Sequence, residues 1–459
     1  MFDLVIQNGD VADVENLLIK KCHIGIKDGK IAAVSEAELS GDKTIEASGM
    51  LVSPGFVDLH MHEDELRKEE GKTYIEEDIF KSMTLMGVTT CIGGNCGIGM
   101  TDMGGYLSAV DRQGLTVNFG AYLGYSSLRE KIGVQDNYRP LTREESEEVK
   151  ILIRAGLDAG ALGISFGLEY TPGSTTNELL EAAKVLREYP GKLIAAHYRN
   201  DGEEGIEAIK ELLHISWVTG VPLQISHIGS CTAFGMMDTS LDLLEKARSI
   251  GIDVMADCYP YHAFSTYIGT AVFDGDCFGR WDKDYSAILV AEGKYAGEYC
   301  TKEIFQYLRE KEPNTLVVAF VMDEQEVEKA LIYPLVMIAS DGLMHNGQGH
   351  PRGAGAFPRV LSHYVREKKV LPLLTALSKM TVMPAKRLGL MKKGSIHIGN
   401  DADLVIFSPE NIRDNADFSQ PSLVPEGISY VIVNGEIVAD RGRLTDSRPG
   451  KAIRFGVKK

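Results

Sequence analysis

The 459-residue sequence lacks the features of a membrane protein or a secreted protein. No apolar run reaches the roughly 18 residues that a membrane-spanning helix needs. The opening residues, MFDLVIQNGDVADVEN, show no basic stretch followed by an apolar one, so we expect no secretory signal. The seven cysteines are scattered and odd in number, which disfavours a disulfide framework. These absences favour the cytoplasm, where free thiols persist.

Positive charge is also scarce. The chain has 48 Lys and Arg against 65 Asp and Glu, so its formal net charge is −17. This surplus disfavours a nucleic-acid surface or an anionic membrane as a partner. The hydrophobic content of 44% and charged content of 25% are ordinary for a globular enzyme. We therefore expect a small-molecule substrate, no nucleic acid and no membrane, and a homo-oligomer is compatible with the sequence.

The two ends of the chain share one pattern. Segments such as FDLVIQNGDVAD near the start and ISYVIVNGEIVADRGRL near the end alternate apolar and polar residues around Asn-Gly and Asp-Gly turns. This pattern is typical of β-hairpins. The sequence therefore predicts a small β-sandwich built from both termini, residues 1–52 plus 396–459.

The middle of the chain has a different pattern, in which short apolar runs alternate with helical stretches. Such alternation is typical of an α/β fold with a parallel sheet. We predict a (β/α)8 TIM-like barrel over residues 53–395. The segment at about 269–334 is too long for an ordinary connection, so we interpret it as an excursion over the barrel mouth. The eight predicted strands are LVSPGFVDLH, GVTTCIGGNC, TVNFGAYLG, GALGISFGL, KLIAAHYR, VPLQISH, IDVMADCYPY and LVMIASDG.

Six residues with metal-binding side chains lie at the ends of these apolar runs. The strands of a parallel barrel end at one face, so residues far apart in sequence converge there. Imidazole, thiolate and carboxylate are the ligands that zinc prefers. The sequence therefore predicts a metal-dependent hydrolase. The predicted ligands are His60, His62, Cys96, His197, His227 and Asp341.

Each of these residues also has a simpler interpretation. His60 and His62 point to the same side of a strand and can reach one ion, but a His-x-His pair alone is weak evidence. A free cysteine is usually an inert buried thiol. We assign that role to Cys91, inside its run, and favour a ligand thiolate for Cys96, which ends its run in GGNCG.

The later residues leave similar alternatives. A lone histidine after an apolar run is more often a hydrogen-bonded core residue, but His197 and His227 end successive runs, which favours ligands. Asp341 in IASDG has two interpretations. It either binds metal and accepts a proton from water, or forms a turn before Gly342. We predict that Asp341 is the catalytic residue.

These motifs resemble the amidohydrolase superfamily and, within it, the N-acyl-D-amino-acid deacylases (D-aminoacylases), over nearly the whole chain. PGFVDLHMHED is similar to the first-strand motif of the superfamily. GNCGIGM is more specific, because most relatives bridge their metals with a carboxylated lysine or a glutamate. DCYPYHAFST, ASDG, HPRGAGAFPRVL and GSIHIGNDADLVIF also resemble deacylase or superfamily segments.

The resemblance implies hydrolysis of the amide bond of N-acyl-D-amino acids to a carboxylate and a free D-amino acid. It also implies Zn²⁺ as the cofactor, with one tight ion and a second, weaker position. The tight position is assigned to Cys96, His197 and His227, and the weaker one to His60, His62 and Asp341, with Cys96 shared.

The resemblance further implies that Arg352, Tyr259 and Ser265 bind the substrate carboxylate. Arginine suits this role because its planar fork matches a carboxylate with two hydrogen bonds. From the residues alone, Arg352 is equally well interpreted as a surface or helix-entry residue.

The chain departs from the family in one place that bears on specificity. Many of these deacylases carry a lysine shortly after the sixth-strand histidine, which can meet an acidic substrate side chain. Here Gly229 lies two residues after His227 and no lysine is near. We therefore expect a neutral or apolar substrate side chain. Met236, Met237 and Phe264 offer an apolar wall, although ordinary core packing explains them equally well.

Two other classes of function remain. The first is another amide-cleaving member of the superfamily, either a cyclic-amide hydrolase similar to dihydropyrimidinase or a dipeptidase acting on D-residues. The absence of a clear bridging lysine disfavours the cyclic-amide hydrolase. The second is a catalytically inactive scaffold, which is disfavoured because every expected ligand type is present.

Overall fold

The structure is a computed structural model that describes residues 1–69 and 71–456. Its strands, in chain order, are β1 (Phe2–Asp13), β2 (Leu18–Lys27), β3 (Lys30–Ser35), β4 (Gly41–Glu46), β5 (Leu51–Pro54), β6 (Phe56–Asp58), β7 (Leu66–Glu69), β8 (Lys72–Ile75), β9 (Val88–Gly93), β10 (Asn118–Ala121), β11 (Leu123–Gly124), β12 (Gly163–Gly167), β13 (Leu193–His197), β14 (Leu223–Ile225), β15 (Val254–Cys258), β16 (Phe264–Tyr267), β17 (Ile288–Val290), β18 (Leu316–Ala319), β19 (Val336–Ile338), β20 (Leu404–Phe407), β21 (Ile428–Val433), β22 (Glu436–Asp440) and β23 (Arg443–Leu444).

The α-helices are α1 (Asp78–Leu85), α2 (Met103–Gln113), α3 (Tyr125–Lys131), α4 (Arg143–Asp158), α5 (Thr176–Val185), α6 (Gly205–Thr219), α7 (Ile228–Thr232), α8 (Met237–Ser249), α9 (Cys277–Trp281), α10 (Lys302–Lys311), α11 (Glu324–Ile332), α12 (Arg352–Arg359), α13 (Leu373–Met380) and α14 (Val382–Arg387). A π-helix, Val360–Glu367, continues α12. None of the helices in the described part of the chain combines the length and apolar character needed to cross a membrane.

The middle of the chain forms the predicted barrel. Strands β6, β9, β10, β12, β13, β14, β15 and β19 follow one another around it, and their paired neighbours are parallel. Nearly all of their residues are buried, as expected for strands covered by helices outside and packed side chains inside. A bridge between Met61 and Gly342 joins the first strand to the last at the carboxyl end.

Helix α4 illustrates how the sequence sets the barrel's outer layer. Thr142 caps its start: the Thr142 side chain accepts from the backbone N of Glu145, and the Glu145 carboxylate accepts from the backbone N of Thr142. This reciprocal cap satisfies two helix-end donors. Val149, Ile153 and Leu157 then recur at helical spacing and are buried on one face.

The two ends of the chain form one sheet, ordered β23-β22-β21-β20-β5-β1-β2-β3, with β4 on β1. The N-terminal and C-terminal pieces meet where β5 pairs antiparallel with β20. Buried side chains from both pieces, such as Ile6, Ile24, Leu404 and Ile432, make a core of their own. The predicted fold class is therefore confirmed.

Beyond this sheet, residues 450–455 pack against the barrel. Gly450 donates from its backbone N to the carbonyl of Leu115 at 2.9 Å, and Ile453 donates to that of Phe119 at 2.6 Å. The sheet itself uses residues 2–54 and 404–444. Placing all of residues 396–459 in the sandwich therefore overlooks a segment that satisfies the free backbone groups beside β10.

The excursion starts earlier and ends earlier than 269–334. It carries a small antiparallel sheet in which β18 pairs with both β16 and β17, so it already begins at Phe264. Helix α11 belongs to the barrel, since it packs on α8 and β19. The short strand β16 escaped prediction because its partner, β18, lies about fifty residues away, as the pairing of Phe264 with Ala319 shows.

A buried ion pair fixes the loop that follows α3. Arg129 Nη1 lies 2.6 Å from Glu178 Oε1, and both side chains are almost fully buried. Glu178 also accepts from the hydroxyl of Tyr125 at 2.9 Å and from the backbone N of Leu141 at 3.0 Å. Arg129 Nη2 donates to the carbonyl of Arg139 at 2.8 Å. One carboxylate thereby holds helix α3 and both ends of the loop after it.

We expect Glu178→Gln to lower the free energy of unfolding by about 3–5 kcal/mol, because Arg129 would keep a buried charge without its partner. Urea denaturation followed by circular dichroism measures this change. The control Glu188→Gln removes the exposed pair with Arg154 and should cost under about 1 kcal/mol. Equal losses in the two variants would contradict the importance of the buried pair.

Candidate metal centre

The structure brings all six predicted ligands to the carboxyl end of the barrel. Their ligand atoms fall into two groups, each with all atoms within 4.8 Å of one another. We name them the rim group and the deep group, and Cys96 belongs to both. The rim group is His60, His62, Cys96 and Asp341, and the deep group is Cys96, His197 and His227.

The distances show how closely the groups are joined. Cys96 Sγ lies 3.3 Å from His60 Nε2 and 3.3 Å from His227 Nε2. Asp341 Oδ1 lies 3.2 Å from His60 Nε2 and 3.1 Å from His62 Nε2. One sulfur atom is therefore placed between an imidazole of each group.

The closure of the barrel aligns the rim group. The backbone N of Asp341 donates to the carbonyl of His60 at 2.8 Å, and the backbone N of His62 donates to that of Gly342 at 2.9 Å. These bonds join the first and last strands just beyond their ends. The histidines of the first strand and the aspartate of the last are thus held in register by the backbone.

Three ligand residues have the left-handed backbone conformation, with φ of 52° at Cys96, 31° at His227 and 49° at Asp341. This conformation is uncommon outside glycine and often marks functional sites. Gly97 also needs it, with φ of 75°, and a Cβ there would lie 2.7 Å from the backbone N of Gly167. The turns after the strands therefore aim the ligands inward at a cost in backbone strain.

Buried carboxylates contact a ring nitrogen of one histidine from each group. His60 Nδ1 donates to Asp257 Oδ1 at 3.0 Å, and His197 Nε2 lies 2.8 Å from Glu169 Oε2. Such carboxylate–imidazole contacts orient metal-binding histidines. Sequence reasoning missed both carboxylates. Both have the position that identified the ligands, at or just after the end of an apolar strand. Asp257 lies near the end of β15, and Glu169 follows β12.

His227 is held in a different way. Its Nδ1 lies 2.8 Å from Ser230 Oγ, and the hydroxyl of Tyr198 donates to the same Oγ at 2.7 Å. A buried chain of hydroxyls therefore fixes this imidazole. Sequence reasoning also missed Ser230 and Tyr198, which carry no recognisable metal-site signal.

The charges of the centre reinforce one another. Burial disfavours the thiolate of Cys96, yet His60 and His227 lower the pKa of this thiol well below its usual value. Burial also disfavours charged His197, yet the nearby Cys96 and Glu169 side chains raise its pKa to about 9. The buried anions thus attract positive charge strongly, which is the environment that favours a divalent cation.

The residues present fit such a cation. His197 Nδ1 is buried and has no hydrogen-bond partner among the described residues. Buried polar atoms normally have a hydrogen-bond partner, and a bound ion would take the place of one here. The donor atoms are imidazole, thiolate and carboxylate, which is the set that zinc takes in catalytic sites.

The three residues predicted to bind substrate lie beside the rim group. Arg352 Nη1 is 2.9 Å from Asp341 Oδ2, and its guanidinium lies 4.7 Å from the centre of the Tyr259 ring. Arg352 Nε is buried without a partner among the described residues. The hydroxyl of Ser265 donates to the carbonyl of Val317 at 2.9 Å. Arg352 Nη2 donates to the carbonyl of Ser265 at 3.4 Å. Arg352 Nε therefore remains available to an anion, while the Ser265 hydroxyl is already engaged.

An open cleft of about 1280 Å³ leads to the centre. Arg352, Ser265 and Phe264 line it, whereas Tyr259 is not among the described lining residues and supports Arg352 from behind. Of the expected apolar wall, Phe264 is in place, but Met237 is buried in the core. Helical packing explains that methionine, which faces inward at the start of α8.

The cleft is strongly acidic. Among the described lining residues, eight are acidic and two are basic, and one of the two, Arg352, already faces Asp341. The acidic residues are Glu63, Asp64, Glu65, Asp102, Glu130, Glu169, Asp201 and Asp341, and the basic ones are Lys131 and Arg352.

The known proteins similar to this chain include two deacylases that align with it over nearly its whole length. The chain is 32% identical to D-aminoacylase of Alcaligenes xylosoxydans xylosoxydans, an alignment that covers 98% of this chain and 97% of that protein. It is 30% identical to N-acyl-D-glutamate deacylase of the same organism, over 98% of this chain and 96% of that protein.

Solved structures agree with these sequence relatives. A crystal structure of D-aminoacylase matches with a TM-score of 0.87 at 30% identity, over 99% of this chain and all of that one. N-acyl-D-glutamate deacylase from Bordetella bronchiseptica, in complex with zinc and a phosphonate inhibitor, matches with a TM-score of 0.87 at 29% identity, over 99% of each chain.

The family model named Amidohydrolase family matches residues 51–438, which is most of the chain. Together with the relatives, it confirms the family predicted from the sequence motifs, and it identifies the chain as a metal-dependent enzyme of that kind. The chain therefore belongs to the amidohydrolase family and, within it, to the N-acyl-D-amino-acid deacylase (D-aminoacylase) branch.

Proposed function

We propose that this enzyme hydrolyses N-acyl-D-amino acids with neutral or apolar side chains, using zinc, and releases a carboxylate and the free D-amino acid. One observation carries the proposal: a cleft ends at two ligand groups that share Cys96, with Arg352 placed 2.9 Å from Asp341. The names of the relatives support the reaction. The seven thiols, buried and free of disulfides within the described chain, support a cytoplasmic location.

The deep group would hold the tight zinc ion, and the remaining residues of the rim group would line a weaker position around the shared Cys96. When bound, zinc supplies Lewis-acid chemistry, which eases the ionisation of water and polarises a carbonyl group. A zinc complex of a related deacylase and a related D-aminoacylase with a binuclear metal centre support this assignment.

The protein's own residues would bind the substrate and move the proton. Arg352 would bind the α-carboxylate with the donors that Asp341 leaves free, and Tyr259 would keep the guanidinium in place from behind. Asp341 would accept the proton of the attacking water and pass it to the leaving amine. With the carboxylate and the amide fixed, the space left for the side chain would select the stereoisomer.

The acidic lining supports a neutral or apolar substrate side chain. A second carboxylate on the substrate would enter a cleft whose described lining has eight acidic residues and, besides Arg352, one base, Lys131. Burial raises the pKa of Asp64 to about 7, so the repulsion comes mainly from the other acidic residues. Bringing like charges together is costly. Gly229, two residues after His227, supplies no cation to offset that cost.

A substrate screen tests the proposed function. Zinc-loaded enzyme should hydrolyse N-acetyl-D-methionine, and its kcat/KM for N-acetyl-D-glutamate should be at least about 10-fold lower because of the like charges. N-acetyl-L-methionine and a hydantoin should react poorly. A chelator should abolish activity, and zinc should restore it. Preference for the hydantoin would favour a cyclic-amide hydrolase, and no zinc-dependent turnover would favour a scaffold.

Asp341→Asn tests the proton-transfer role. Asparagine keeps the size of the side chain but cannot accept the proton, so kcat for N-acetyl-D-methionine should fall by about 10²–10⁴-fold. Zinc content should stay near normal, because the deep group is intact. Glu130→Gln, which changes an exposed carboxylate of the same cleft, serves as the control and should keep its activity. Full activity of Asp341→Asn would exclude Asp341 from the mechanism.

Arg352→Met tests carboxylate binding. The wild-type enzyme should prefer N-acetyl-D-methionine to its α-carboxamide analogue by about 10- to 100-fold, the worth of a hydrogen bond to a charged group. Arg352→Met should lose this preference, whereas Lys131→Met, the other basic residue of the described lining, should keep it. The kcat/KM ratio of the two substrates is the measurement. A ratio unchanged in Arg352→Met would place the carboxylate elsewhere.

A further inference from the structure

Asp257 is a buried carboxylate that the proposed reaction does not use. It lies on β15 and is 1% exposed. Its Oδ1 accepts from His60 Nδ1 at 3.0 Å and from the backbone N of His227 at 2.8 Å. Its Oδ2 accepts from Gln224 Nε2 at 2.9 Å. Asp257 thus contacts one residue unique to the rim group and one unique to the deep group.

The first contact determines the tautomer of His60. Because Nδ1 carries the proton that it donates to Asp257, Nε2 keeps its lone pair. That Nε2 is the atom 3.3 Å from Cys96 Sγ and 3.2 Å from Asp341 Oδ1. A carboxylate partner also makes an imidazole a stronger ligand. Asp257 therefore prepares His60 to bind an ion in the rim group.

The second contact stabilises the backbone of His227. This residue has a φ of 31°, and its backbone N is buried at the end of β14. The bond to Asp257 satisfies this donor and holds the turn that carries the imidazole toward Cys96. Without it, the left-handed turn would lose a main support in the deep group.

We propose that Asp257 is a positioning residue shared by both metal positions, so that its loss weakens zinc binding at the rim group and at the deep group together. Glu169 offers a contrast, because it contacts His197 and so supports the deep group. The inference rests on the two-position zinc centre of the proposed function, but not on the identity of the substrate.

Asp257→Asn is a more conservative substitution than Asp257→Ala. Gln224 Oε1 is buried and has no hydrogen-bond partner among the described residues. In Asp257→Asn, the new amide can keep its oxygen toward His60 and His227, while its NH₂ donates to Gln224 after the Gln224 amide turns over. This variant removes the charge and retains the hydrogen bonds, which separates the two contributions of Asp257.

Zinc titration of the intact enzyme against a chromophoric chelator gives the test. His62→Ala and His197→Ala assign the two dissociation constants to the rim group and the deep group. Asp257→Ala should raise both constants by about 10- to 100-fold, the usual effect of losing a carboxylate that orients a metal ligand. Glu169→Ala should raise the deep-group constant alone. Asp257→Asn should raise both by less than Asp257→Ala.

The outcomes separate the inference from the proposed function. If Asp257→Ala leaves either constant at its wild-type value, the shared role is wrong. If circular dichroism shows that Asp257→Ala is unfolded, Asp257→Asn decides, and unchanged constants in it would overturn the role. If wild-type enzyme binds no zinc, the metal centre itself fails. Two wild-type constants that Asp257 does not affect would leave the centre standing and overturn only this inference.

Discussion

The shared position of Cys96 is the constraint on which the site depends. Its sulfur lies 3.3 Å from imidazole nitrogens of two ligand groups, so the turn after β9 must enter the centre of the barrel mouth. Glycines allow this close approach. A Cβ at Gly167 would lie 2.0 Å from the carbonyl oxygen of Cys96. Ser165 Oγ then accepts from the backbone N of Gly97 at 3.0 Å and holds the turn in place.

This arrangement is costly, and the surrounding structure offsets the cost. Strained turns carry Cys96, His227 and Asp341, and the side chains of these residues are buried. The offset comes from pairing and hydrogen bonding, since Asp257, Glu169 and the Ser230–Tyr198 hydroxyls each hold an imidazole. The bonds that close the barrel between its first and last strands add backbone support. In a preorganised centre of this kind, the free-energy cost of the strained geometry falls on folding and not on the binding of an ion or substrate.

The sequence predicts the barrel and the positions of the ligands because both follow from local patterns. Apolar runs predict the strands, and a residue of a metal-binding type at the end of a run is predicted to lie at the carboxyl face of the barrel. The supporting residues do not follow from such patterns. A carboxylate near a strand end, such as Asp257, is a common feature whose importance depends on what faces it across the barrel. Met237 shows the same limit, because only packing reveals that it faces the core and not the cleft. Strand β16 shows the same limit of local patterns for the fold, because β16 forms a strand only by pairing with the distant β18.

The pairing of Arg352 with Asp341 connects the cleft to the metal centre. Arg352 begins α12 and reaches Asp341 Oδ2, while Oδ1 of the same carboxylate faces both His60 and His62. The residue that would bind the substrate carboxylate and the residue that would move the proton are therefore one ion pair. Since the planar guanidinium keeps donors free on its other edge, it can bind a carboxylate without releasing Asp341. Recognition of the α-carboxylate would then fix the amide relative to the proton acceptor, and a substrate without that carboxylate would lose orientation as well as affinity.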